Sequence, residues 1–300
     1  MRIALAGLAT SHPYTDARTL TRHADLAVWE QDGERLARFM REHPGAAVAG
    51  SLGELLATRP DGVVLTVPNP QAPAALAGVL ETGVPVFMNK PAAASREQLE
   101  ALDRLDIGDR VLSTSVLRFA PAFAGVRLDP GEVLSVRATV RHDVGMWAGG
   151  YNAWQDTPGQ GGGTMVTMGV HGVELLVALL GPEVRLAGAA GAVRHYAGLR
   201  SEDTGVMALQ WGSGITGVVE IIGVSGDEAY TVTVHTASGG EHIVIEPGED
   251  HLRGLGYEGT VEAFLGMVGG APSPVPWEQT RAILEVLVSA REAAPAVPAH

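Results

Sequence analysis

Apolar and polar positions change their period partway along this 300-residue chain. Before residue 120, short apolar runs alternate with stretches of helical spacing. Residues 2–6, 25–29, 46–48, 63–65, 84–88 and 111–115 read as strands, and the run Val63-Val64-Leu65 is typical of a strand buried on both faces. Ala74, Leu76, Val79 and Leu80 recur at helical spacing until Gly83 ends the helix. A helix opens at residues 33–39. Another runs from Ser95, where Ser-Arg-Glu-Gln is a capped start, to about Leu105. Strands alternating with helices predict a parallel, doubly wound sheet.

Past residue 120 the rhythm is different. Residues 133–140, 206–211 and 230–235 alternate apolar and polar, and 215–222 does so less cleanly. These are expected to be strands of a largely antiparallel sheet with one covered face. Helices around 165–180, 257–268 and 277–291 are expected to cover it, and the tail 294–300 reads as loose. The expectation is an α/β protein of two domains, 1–120 and 121–300, since single cores rarely exceed roughly 250–300 residues.

Composition narrows the function. The chain is 46% hydrophobic with net charge −13, from 34 acidic and 21 basic residues. That balance, without a clustered Lys/Arg stripe, argues against nucleic acid as a partner. There is no cysteine, so disulfides, thiolate catalysis and cysteine-ligated metals are excluded. No apolar run approaches the roughly 18–20 residues of a membrane span, and the N-terminal MRIALAGLA is too short for a secretion signal. The expected setting is the cytoplasm, away from membranes.

Three places carry candidate chemistry. The strand–helix–strand unit 61–91 delivers Asn89-Lys90-Pro91 to the carboxyl edge of a buried parallel strand, where open α/β sheets hold ligands. After the first strand, Gly7 occupies the first place of a G-x-G-x-x-G turn, while Ala9 and His12 stand at the second and third. Thr10 and Ser11 could cap the following helix or donate to an anion. An ordinary strand-to-helix turn would look the same. Glu30 ends the second strand, 23 residues beyond Gly7, where a ribose-binding carboxylate belongs. It would repel a 2′-phosphate and favour NAD over NADP.

With the 159–180 segment also in view, nearly the whole sequence resembles the Gfo/Idh/MocA oxidoreductases, the glucose-fructose oxidoreductase and inositol dehydrogenase family. VVLTVPNP…ETGVPVFMNKPAA is similar to the family's strand–TPN–helix–strand–EKP block, with Asn89 in place of the glutamate. Arg118-Phe119-Ala120-Pro121 resembles RFxP at the domain junction. GGGTMVTMGVHGVELLVALLG, residues 161–181, resembles GGG…D-x-G-x-H…D, and Glu202-Asp203-Thr204 resembles EDT. Two turn glycines are missing, and Thr167 stands where the family has aspartate, four residues before His171.

The resemblance implies a Rossmann domain followed by a domain with an open, mainly antiparallel sheet, and a homodimer or homotetramer formed through that sheet. It implies that Thr66, Val67, Pro68, Asn69, Asn89 and Lys90 border the cofactor with Gly7, Ala9, Thr10, Ser11, His12 and Glu30. His171 is then the acid/base, Lys90 its electrostatic partner, and Thr167 a donor to a substrate hydroxyl from the same helix face. Asp143, Asp156 or Glu174 could replace the missing charge. Arg118, Asp143, Trp147, Tyr151 and Trp154 are candidates for the substrate wall. The histidines lack ligand-like spacing, so no metal is expected. The leading expectation is an NAD(P)-dependent oxidoreductase for a sugar, polyol or related compound. A non-catalytic dinucleotide- or ligand-binding protein and an NAD-assisted glycosidase or lyase stand as alternatives.

Overall fold

The computed structural model describes residues 1–294; the tail from 295 onward, expected to be loose, lies outside the described residues. The first layer is a six-stranded parallel sheet in the order β3-β2-β1-β4-β5-β6. Its strands are β1 (Arg2–Ala6), β2 (Asp25–Trp29), β3 (Ala47–Val48), β4 (Gly62–Leu65), β5 (Val86–Met88) and β6 (Val111–Leu112). Helices α1 (His12–Leu20), α2 (Gly33–Glu42), α3 (Leu52–Ala57), α4 (Ala72–Leu80) and α5 (Arg96–Asp103) connect them. Asp32, Ser51 and Ser95 cap α2, α3 and α5 by accepting backbone N–H groups. The order reverses between β1 and β4, the crevice where doubly wound sheets bind ligands.

Short α6 (Pro121–Ala124) leads to the second layer. It is a mixed, mostly antiparallel sheet, β12-β11-β7-β10-β9-β8, whose one parallel pair is β7 with β10. Its strands are β7 (Val133–Asp143), β8 (Val184–Ala192), β9 (Thr204–Trp211), β10 (Thr216–Ile222), β11 (Val224–Thr236) and β12 (Gly239–Ile245). Between β7 and β8 lie α7 (Gly145–Ala148), α8 (Gly163–Thr167) and α9 (Gly169–Leu180); after β12 come α10 (His251–Gly254), α11 (Tyr257–Val268) and α12 (Trp277–Ala293).

Several elements depart from the sequence reading, which did not anticipate α3, β8 or β12. The segment 165–180 is broken at Met168 into α8 and α9. Together Gly163–Leu180 is long and apolar enough to cross a membrane, with mean hydropathy 1.6, but 83% of it is buried against the protein. Helix α11 packs on the first sheet: Phe264 lies 6.0 Å from Phe87, and a Cβ on Gly62 would come within 2.8 Å of Phe264 and Val268. Burying Phe264 fully contributes roughly 2–3 kcal/mol to that docking. Helix α12 serves both layers, with Leu284 and Val288 in the first core and Ile283, Val286, Leu287 and Ala290 in the second. Strand β6 ends early because Ser113 turns toward α12, its carbonyl accepting from the Thr280 hydroxyl at 3.0 Å.

Candidate active site

The Gly7 turn sits between the ends of β2 and β4. Gly7 donates its N–H to the Trp29 carbonyl at 2.8 Å, and Ala9 donates to the Thr66 carbonyl at 3.0 Å. Gly7 has φ +90°, and a Cβ there would come within 2.4 Å of the Thr66 oxygen, so the first glycine is required by both conformation and space. Glu30, its side chain only 6% exposed, accepts from the N–H groups of Leu8 at 2.5 Å and Asp32 at 2.8 Å, with the Arg35 guanidinium 3.7 Å away. Its carboxylate ties β2 to the turn while each oxygen keeps a free lone pair.

Thr10 and Asn89 meet across the crevice: the Asn89 amide donates to the Thr10 hydroxyl at 2.9 Å. Ser11 stands at the start of α1 and makes no side-chain cap, which leaves it toward the cavity. Val67 packs against Gly7, and Pro68 follows it out of the sheet. Asn69 is turned inward; its buried amide donates to the Pro91 carbonyl at 2.8 Å and fixes the chain beside Lys90. Among the described residues, the Thr66 hydroxyl and His12 Nδ1 are buried at this edge without a hydrogen-bond partner. Such unpaired polar atoms beside a helix N-terminus fit a dinucleotide whose phosphates approach the turn.

Lys90, the only lysine of the 300 residues, leaves the end of β5 and enters a cavity of about 710 Å³ including its open mouth. Its Nζ lies 2.9 Å from His171 Nε2 and 3.4 Å from the Thr167 carbonyl. Nδ1 of the same ring is 2.7 Å from the Ser115 hydroxyl, which also accepts from the Leu117 N–H. A charged Lys90 makes Nε2 an acceptor, so a neutral His171 carries its proton on Nδ1 and donates to Ser115. Burial, reinforced by the nearby Lys90 charge, holds His171 well below its usual pKa. Burial likewise lowers Lys90 to about 8 and His12 to about 3. Of these three shifted groups, Lys90 is the one brought nearest to neutral pH.

The structure relocates several residues expected at the site. The break at Met168 turns the Thr167 side chain away, and its hydroxyl donates to the Gly163 carbonyl at 2.7 Å. Only the Thr167 carbonyl faces Lys90. Glu174 is buried with Arg118 at 3.0 Å and accepts from the Thr114 hydroxyl, so both Glu174 and Arg118 belong to the domain junction. Asp143 accepts from the Tyr196 hydroxyl, and Asp156 accepts from Ser201 and the Arg200 N–H. Trp154 stands outside the cavity wall, whereas Trp147 and Tyr151 line it with His142, Asn152 and Gln155. Sequence reasoning missed Ser115, which carries no motif of its own, and Glu228, Tyr230 and Tyr257, which reach the cavity from β11 and α11. No cluster of His, Asp or Glu among the described residues could hold a metal.

Ser115 reaches the cavity only through the imidazole. Ser115→Ala takes the hydroxyl away from both His171 Nδ1 and the Leu117 N–H, at about 1–1.5 kcal/mol per hydrogen bond, so kcat is expected to fall about tenfold or more with KM little changed. Steady-state kinetics check this, and an equal rise in KM would contradict it.

The chain matches two family descriptions: "Oxidoreductase family, NAD-binding Rossmann fold" over residues 1–108, and "GFO/IDH/MocA C-terminal domain" over residues 129–240. No curated protein matches it significantly. Among solved structures, its fold is similar to GenD2 from gentamicin A biosynthesis in complex with NAD, at 22% identity and TM-score 0.80 over 98% of this chain and 93% of that one. It is also similar to a myo-inositol dehydrogenase from Corynebacterium glutamicum, at 17% identity and TM-score 0.80, covering 98% and 96%. The WlbA dehydrogenase from Bordetella pertussis, in complex with NADH and UDP-GlcNAcA, shares 20% identity at TM-score 0.76, covering 97% and 95%. With both of its layers matched in sequence, the chain belongs to the Gfo/Idh/MocA oxidoreductase family, whose first domain is an NAD-binding Rossmann fold.

Proposed function

We propose that this family member is a dehydrogenase that transfers hydride between NAD and a carbinol or carbonyl carbon of a sugar, polyol or related compound. The 2.9 Å contact between Lys90 and His171, at the sheet edge beside the Gly7 turn, carries the reading. Gly7, Ala9, Thr10, Ser11, His12 and Glu30 would hold the dinucleotide, with Thr66 and Asn89 facing its nicotinamide half. The bound cofactor supplies the carbon that accepts or returns hydride.

The protein's part is to orient the carbinol and to move one proton. The two depressed groups divide the work differently from the expectation that His171 is the base. Neutral Lys90 takes the hydroxyl proton as the carbinol carbon gives up hydride. The resulting ammonium is held by His171 Nε2 and the Thr167 carbonyl. In the reductive direction the ammonium returns that proton to the developing alkoxide. His171 stays neutral throughout and aims the amine, with Ser115 fixing its tautomer.

Glu30 supports NAD over NADP, because a carboxylate at the end of β2 opposes a 2′-phosphate. Titration with NADH and with NADPH, followed by energy transfer from the five tryptophans, tests this. Micromolar NADH binding, much tighter than NADPH, is expected. Binding of neither, with none copurifying, would overturn the dehydrogenase in favour of a ligand-binding protein. A product at the substrate's own redox state would instead indicate NAD-assisted elimination or glycoside cleavage. A homodimer or homotetramer is the proposed assembly. Its support is the uncovered face of the second sheet, where Val206 and Val244 are exposed at 39% and 41%.

A further inference from the structure

The helices that carry His171 place no carboxylate in the cavity. Thr167 stands at the family's aspartate position with its hydroxyl turned to Gly163, Glu174 is engaged by Arg118, and Asp143 and Asp156 are held by Tyr196 and Ser201. A carboxylate nevertheless reaches the cavity from the opposite wall. Strand β11 pairs with β7 so that Val224 faces Asp143 and Ala229 faces Arg141, which leaves residues 225–228 bulged opposite His142 alone. The Ser225 hydroxyl holds this bulge, donating to the Asp227 carbonyl at 2.9 Å and accepting from the Asp227 N–H at 3.4 Å. A bulge re-aims the side chains it carries, and here it turns Glu228 into the cavity with Lys90 and His171. Glu228 Oε1 accepts from the Tyr230 hydroxyl at 2.8 Å, and His142 Nε2 lies 4.0 Å from the same oxygen. The Tyr230 ring in turn packs 5.3 Å from the His171 ring.

We propose that Glu228 is the positioning carboxylate of this site, supplying from β11 the negative charge opposite the Lys90 ammonium that Thr167 does not carry. This deepens the reading of Lys90 as acid/base and rests on it. The electrostatics agree: burial pushes the Lys90 ammonium toward its neutral form, and the Glu228 charge opposes that push. The other titratable groups facing Lys90 are His171 on α9 and His12 on α1, whose usual charged forms burial suppresses. Those facing Glu228 are Tyr230 on its own strand, His142 on β7 and Tyr257 on α11, and burial raises both tyrosines above their usual range, so they stay neutral. Glu228 is therefore the anion that sets how strongly Lys90 holds its proton.

The single lysine makes the test direct. Protein produced with ¹³C-labelled lysine carries one lysine Cε resonance, and its pH titration reports Lys90 alone. Glu228→Gln is expected to lower the titration midpoint by about one unit, because an opposite charge that favoured the ammonium has gone. Glu228→Asp should restore part of the shift. Asp227→Asn, which neutralises the adjacent acid paired with Arg141 on the exposed side, should leave the midpoint in place. An unchanged midpoint in Glu228→Gln overturns the proposal, as does an equal shift in Asp227→Asn. Glutamine is isosteric with Glu228 and leaves no void, and Glu228→Ala provides a second variant read in the same way. The measurement needs no turnover. A shifted midpoint in a protein that binds no NADH would sink the dehydrogenase and keep the Glu228–Lys90 coupling, whereas an active enzyme with no shift would do the reverse.

Discussion

Lys90→Met is expected to lower kcat by about 10²–10⁴-fold while NADH affinity stays within about twofold. Methionine keeps the length of the apolar stem, so the cavity wall survives; what disappears is the amine that burial lowers to about 8. The same assignment fixes the sign of the pH dependence. Alcohol oxidation needs the neutral amine, so its kcat rises with pH through a midpoint near 8 in the wild type. Carbonyl reduction needs the ammonium and falls through the same window. His171, held well below its usual range, adds no limb between pH 6 and 7. Turnover that survives the substitution, or an oxidation profile with a histidine-like midpoint, would remove Lys90 from the acid/base role.

Arg118→Met is expected to cost roughly 3–5 kcal/mol of stability, because it removes one partner of a buried ion pair. The side chains of Arg118 and Glu174 are only 16% and 2% exposed, and after the change Glu174 keeps the Thr114 hydroxyl and the Ser115 backbone but no opposite charge. By size scaling, the melting temperature should fall by roughly 5–10 °C. Burial already raises Glu174 above the usual carboxylate range, with Arg118 opposing that rise. Without Arg118 the folded state favours the protonated acid more strongly. A group whose folded pKa is raised contributes stability at low pH and loses it as pH climbs through the window above its unfolded value. The variant should therefore be nearest to wild type around pH 5 and furthest from it around pH 8. Thermal melts at the two pH values check this. A raised KM with unchanged stability would return Arg118 to the substrate wall.

Legibility followed the physics of each element. Residues 63–65 and 86–88 are buried on both faces of a parallel sheet, so their apolar runs were plain in one dimension. The strand over residues 184–192 reads VRLAGAAGA, and with little side-chain volume on either face it gave no alternation to detect. The helix α11 has a clear period, but a period says which face is apolar and not which sheet it meets. The missing side chain of Gly62 on the first sheet decided that.

By itself the sequence determined the α/β layers, the family, the lysine at a strand end and the histidine on the 163–180 segment. Local spacing and turn residues encode those features, and each lies within one or two elements. Tertiary structure alone decided which groups share the cavity. Ser115 reaches His171 across 56 positions of chain, and Glu228 reaches the cavity only because four bulged residues face one on β7. It also set the environment of the pair: Lys90 and His171 are ordinary residues in sequence, and burial 2.9 Å apart lowers both, which is the basis for proposing the lysine as the proton carrier.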